Sequence, residues 1–218
     1  TAFGNARHRR PPPYIFSQDE VAKLIEAAGR LKPTGSIRPM MFATLFGLLA
    51  ATGLRISEAL RLRLQDISAD GLMILETKFN KSRLVPLHDT AHAALERYLE
   101  ARARTATSTD ALFVGVNGKA PGYDGVKDVF DRLVAAMGLQ QARNGGLPHI
   151  HDLRHTLAVC SLERFRGNRN AISRHMTALS TYLGHTNVTG TYWYLEATPV
   201  LLGQIAEAAE TLHREQDL

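Results

Sequence analysis

The stretch "MMFATLFGLLAATGL", residues 40–54, contains no charged side chain. A helix that is apolar on every side is stable only when other elements cover it. This run therefore reads as a buried helix, within a helix over residues 37–51. It is interrupted by Gly47 and is shorter than the roughly 20 apolar residues that span a bilayer. No other run is longer, so the sequence offers no membrane span. With 218 residues and 44% hydrophobic side chains, the chain can bury a core without covalent staples. Its one cysteine, Cys160, cannot pair internally, which fits a reducing compartment.

Around that helix the pattern is mostly helical. In "SQDEVAKLIEAAGRL" Ser17 and Glu20 have capping-box spacing, and Val21, Leu24, Ile25 and Ala28 form an apolar stripe. "GLRISEALRLRLQDI" predicts a short helix running into a loop. In "GLMILETKFNKSRLVPLH" two short apolar runs flank a polar turn, which predicts a β-hairpin. Pro86 puts its second strand at an edge. "DTAHAALERYLEARAR" and "YDGVKDVFDRLVAAMGL" read as helices, the latter ending near Gly138, and "ALFVGV" between them reads as a third strand. The last third is helical again. The fold class expected is mainly α with a small antiparallel β-sheet (α+β). Residues 1–13, with "RHRRPPP", read as a basic, proline-stiffened linker, and no signal peptide is visible.

Lys plus Arg outnumber Asp plus Glu by 26 to 21, a net charge of +5. The excess is mostly arginine, which forks onto phosphate oxygens; this is compatible with nucleic acid without establishing it. Four stretches could carry chemistry. In "ATGLRISEAL" a turn glycine sets Arg55 at a helix start, where an anion is favoured. In "TKFNKSR" a hairpin turn carries Lys78, Lys81 and Arg83, and a lysine there can donate a proton. In "HDLRH" His151, Arg154 and His155 share a helix face. Either His151 and His155, with Asp152, bind a metal, or His151 and Arg154 meet a phosphate. The metal reading is the weaker, because the form is not "HExxH" and Arg154 on the same face repels a cation. In "TYLGHTNVTGTYWYLEATP" the aromatic residues read first as packing.

Taken together and in order, these pieces resemble the tyrosine recombinase (phage integrase) family, from about Tyr14 to the end of the chain. The resemblance makes residues 14–218 the catalytic domain. It also implies that the family's N-terminal DNA-clamping domain is missing from this chain. It places the catalytic set on Arg55, Lys78, His151, Arg154, His185 and Tyr194. Tyr194 lies nine residues beyond His185, at the family's offset; Tyr182 and Tyr192 are assigned to packing. Two departures stand out: a longer stretch between "HDLRH" and "LGH", and Tyr192 and Trp193 beside the nucleophile.

The resemblance implies a reaction as well. The Tyr194 phenol attacks a DNA phosphodiester, giving a 3′-phosphotyrosyl link and a free 5′-hydroxyl. Arg55 and Arg154 hold the non-bridging oxygens with a hydrogen bond from His185, His151 either adds another or assists proton transfer at the phenol, and Lys78 protonates the leaving oxygen. No cofactor, metal or ATP is called for. The partners implied are double-stranded DNA and further copies of the chain, a tetramer on two DNA sites joined through the C-terminal helix, with the free fragment monomeric. The compartment implied is bacterial or phage cytoplasm, at the nucleoid. Competing readings are a type IB topoisomerase or telomere resolvase, a DNA-binding regulator that does not cleave, and a metal-dependent nuclease.

Overall fold

The computed structural model describes residues 13–77, 81–139, 147–164 and 169–184. The apolar run forms α2 (Ile37–Thr52), and α1 (Gln18–Gly29), α4 (Asp89–Ala103) and α6 (Asp152–Glu163) pack around it. Phe42, Leu45, Phe46, Leu48 and Leu49 of α2 are all buried, as a helix without a polar face requires. The predicted capping box starts α1: Ser17 Oγ accepts from the Glu20 N–H and Glu20 Oε2 from the Ser17 N–H. Two further helices pack on the body, α3 (Ile56–Arg61) and α5 (Tyr123–Ala136), and α7 (Arg169–Leu183) pairs with α6.

The sheet is small and antiparallel, in the order β1 (Ile67–Ser68), β2 (Gly71–Thr77), β3 (Lys81–Val85). β3 is an edge strand ending just before Pro86, as the proline requires. Leu72 faces Val85, Met73 faces Leu84 and Ile74 faces Arg83. Alternation puts Leu72, Ile74 and Val85 in the core, while Met73, Leu75 and Leu84 are exposed. Arg83 shares the inward face with Val85, an unusual place for a charge.

One expected element differs. "ALFVGV" is not a strand: it makes a single bridge, Arg63 to Ala111, and β1 supplies the third strand instead. Leu112, Phe113 and Val114 are fully buried, so their polar backbone still needs partners. Side chains of α4 provide them. Tyr98 Oη donates to Leu112 O (3.1 Å) and accepts from the Val114 N–H (2.9 Å). The Arg102 guanidinium donates to the carbonyls of Thr109, Ala111 and Leu112 at 2.7–3.1 Å.

The main core runs from Phe16 to Leu153, and a second cluster lies between α6 and α7, built from Ala158, Val159, Leu162, Met176, Leu179 and Leu183. Tyr182 packs against both. At the start of the described chain, Phe16 donates its N–H to Thr156 Oγ1 (2.9 Å) and stacks edge-on against Phe130. Among the described residues no helix is long and apolar enough to cross a membrane.

Candidate functional site

Two turns bring the polar residues together. The first ends α2 at Gly53, whose φ of +62° is the left-handed conformation glycine adopts without strain. A Cβ there would also meet Leu157 Cδ2 at 2.8 Å and Leu183 Cδ2 at 3.1 Å, so α6 and α7 both close on this turn. Two residues later Arg55 precedes α3. The second turn ends α7 at Gly184, again left-handed with φ +66°.

The arginines connect these turns. Arg154, only 2% exposed, donates from Nη1 to Gly53 O (2.6 Å) and from Nη2 to Leu183 O (2.5 Å). Arg55 donates from Nη2 to Gly184 O (3.1 Å). Two side chains 99 positions apart (154 − 55) thus hold successive carbonyls at the end of one helix. Carbonyl oxygens at a helix C-terminus carry partial negative charge and attract cations.

His151 stands at the entrance to α6, and both Arg154 and His155 donate backbone N–H groups to its carbonyl. Its ring meets that of His155 edge to face, with centroids 4.6 Å apart. Partial burial, then the charges of Arg154 and Arg55, push the His151 imidazole from 6.5 down to about 4, with Glu58 opposing. The residue is itself solvent-exposed. Water therefore weakens the burial contribution, and the direction rests on the two guanidiniums. A neutral ring at pH 7 can accept a hydrogen bond or a proton.

Two further residues belong to this cluster: Glu58, which the sequence did not single out, and Arg83, which it placed on the hairpin turn. Glu58, 3% exposed at its side chain, accepts from the Arg55 backbone N–H (3.0 Å) and from Arg55 Nη1 (2.9 Å). Its signal was the capping-box spacing to Arg55. Arg83 reaches the same carboxylate from β3, with Nη2 at 2.8 Å from Oε2 and Nη1 at 3.2 Å from Oε1. Burial alone would raise the Glu58 carboxyl, but hydrogen bonds and charge from the two arginines hold it below its ordinary value. The sequence read Arg83 as part of the hairpin turn; it lies instead within β3, opposite the buried Ile74, and the alternation with Val85 was the signal that could have placed it there. Tyr182 is half-buried and its phenol is pushed up by burial, as fits the packing role expected of it.

The structure therefore brings Arg55, His151 and Arg154 into one neighbourhood. Lys78, His185 and Tyr194 lie outside the described residues, as does Tyr192. Among the described residues no group of three or more His, Cys, Asp or Glu could hold a metal ion.

Residues 15–199 match the phage integrase family. The Sinorhizobium fredii protein y4rB, named for the integrase/recombinase class, is 35% identical over 94% of this chain and 68% of its own length. The tyrosine recombinase XerC of Corynebacterium glutamicum is 29% identical over 94% of this chain and 60% of its own length. The chain thus spans roughly two thirds of the curated relatives it matches. Among solved structures, the XerA recombinase superposes with a TM-score of 0.69 at 26% identity, covering 92% of this chain and 66% of that one. XerH, in a post-cleavage complex with palindromic difH DNA, gives 0.70 at 22%, covering 95% and 56%. A lambda integrase dimer bound to a COC′ core site gives 0.65 at 19%, covering 86% and 49%. The fold is that of these catalytic domains, and the chain belongs to the phage integrase family.

Proposed function

We propose that the chain is the strand-transferring part of a site-specific DNA recombinase, with Tyr194 as nucleophile. One observation carries this reading. Arg154 and Arg55 hold the carbonyls of Leu183 and Gly184, which places two guanidiniums beside the residue that immediately precedes His185. In this proposal a phosphodiester meets the more open Arg55 directly, while Arg154, engaged with the Gly53 and Leu183 carbonyls, turns N–H groups to it on DNA binding; such donors are what its non-bridging oxygens need as charge builds on them.

In the proposed reaction the Tyr194 oxygen attacks phosphorus in line and the bond to the 5′-oxygen breaks. The phenolic proton passes to a histidine of the site, and Lys78 supplies a proton to the departing 5′-oxygen. The products are a 3′-phosphotyrosyl link and a 5′-hydroxyl. Attack by a second strand's 5′-hydroxyl reverses the bond changes and returns the proton to the phenol. One phosphodiester replaces another, so no ATP is consumed. Duplex DNA as partner is supported by the DNA-bound complexes of XerH and lambda integrase. A tetramer on two sites, joined by the C-terminal helix, completes the proposal.

The test is covalent trapping. A duplex nicked near the cleavage site lets a short fragment diffuse away and strands the adduct. Wild type should accumulate a protein–DNA band that survives denaturation and EDTA, and Tyr194→Phe should give none. An adduct that persists in Tyr194→Phe, or no adduct on any duplex, rejects the proposal.

A further inference from the structure

Arg83 has no part in the reaction just outlined, yet it sits at the centre of the site. Its partner Glu58 is buried, and each carboxylate oxygen is shared. Oε1 accepts from Arg55 Nη1 (2.9 Å) and Arg83 Nη1 (3.2 Å). Oε2 accepts from the Arg55 backbone N–H (3.0 Å) and Arg83 Nη2 (2.8 Å). Arg83 also supports the end of α7, since a Cβ on Gly184 would lie 3.1 Å from its Nη1. Its side chain is 15% exposed, flattened between the carboxylate and that turn. Arg55 is the more open of the pair, at 31%.

A carboxylate beside Arg55 is double-edged. It orients the guanidinium, but it also offers the negative charge that a phosphate would offer. Were Glu58 paired with Arg55 alone, a DNA phosphate would compete with a buried carboxylate for the same N–H groups. Arg83 supplies the second positive charge and donates to both oxygens. The Arg55 charge is then not spent inside the protein.

We infer that Arg83 is a positioning residue for strand transfer: by sharing Glu58 with Arg55 it holds that carboxylate in place and leaves the Arg55 guanidinium charged toward the DNA phosphate. The inference rests on the recombinase reading above. It predicts that Arg83 acts on the chemical step through Glu58, with little effect on DNA affinity.

The experiment uses the full-length protein and a nicked duplex chosen from a randomised pool by wild-type adduct formation. Single-turnover adduct formation is measured per folded molecule, and affinity for the same duplex by fluorescence anisotropy. Arg83→Met should slow adduct formation at least about tenfold, less than the roughly 100- to 1,000-fold lost with a donor that touches the reacting oxygens itself, with affinity within about twofold of wild type, as expected where only the transition state loses stabilisation. Adding Glu58→Gln to Arg83→Met removes the carboxylate that would then compete for Arg55 and should recover part of the lost rate. A purely structural ion pair would leave the rate per folded molecule unchanged. Should Arg83→Met fail to fold, Arg83→Lys keeps the charge but loses the fork, and should still slow adduct formation several-fold. Wild-type rates in either variant, or a double substitution slower than Arg83→Met alone, overturn the inference by itself. Absence of any adduct in wild type overturns the recombinase reading and this inference with it.

Discussion

At the scale of single residues, two titratable groups report on the arginine cluster. Partial burial and the two guanidiniums hold the His151 imidazole below its ordinary value of 6.5, so it should stay neutral at pH 7 and gain its proton only on acidification. In an NMR titration its ring should move with a midpoint below 6.5, and Arg55→Ala should raise that midpoint. Glu58 is depressed, which gives the opposite handle. A carboxyl held below its unfolded value contributes stability above that value and loses it as pH falls through the folded one. The increment from Glu58 is therefore present above about pH 4.5 and lost on further acidification. Glu58→Ala at neutral pH strands Arg83 and should cost on the order of 3 kcal/mol, read as a lower denaturant midpoint. Arg55 and Arg154 were legible as candidates from "GLRISE" and "HDLRH". Their joint grip on Leu183 and Gly184 was not, because it depends on where α7 ends relative to α2.

At the scale of elements, the described helices and the hairpin could be read from periodicity, and the boundary of α2 differs by one residue from the expected one; the helix expected near the C-terminus lies outside the described residues. The strand expected at "ALFVGV" fails for a reason periodicity cannot carry. An apolar run shows that a segment is buried, not who satisfies its backbone. Here Tyr98 and Arg102 on α4 do what a neighbouring strand would have done. Arg102→Met should therefore orphan several buried carbonyls. We expect a loss of about 2–3 kcal/mol and a drop in Tm of roughly 5–10 °C, measured by thermal unfolding.

At the scale of the molecule, the two apolar clusters are unequal. α2 lies at the centre of the larger one. α7 belongs to the smaller, pairing with α6 and fastened by the carbonyl bonds from Arg55 and Arg154. Elements with fewer buried contacts open at lower free energy. In hydrogen exchange, amides of residues 174–183 should exchange faster than those of α2, and Arg55→Ala should widen the difference. None of this imbalance was visible in the sequence, where α6 and α7 read as equals of the other helices.

The bond from Phe16 to Thr156 has a further consequence. It fastens the entrance of the domain to the same helix whose first turn carries Arg154, and Phe130 clamps the ring beside it. The described chain therefore begins from a point pinned to α6 and α5, so a strain on Phe16 would be felt directly at the helix that carries Arg154.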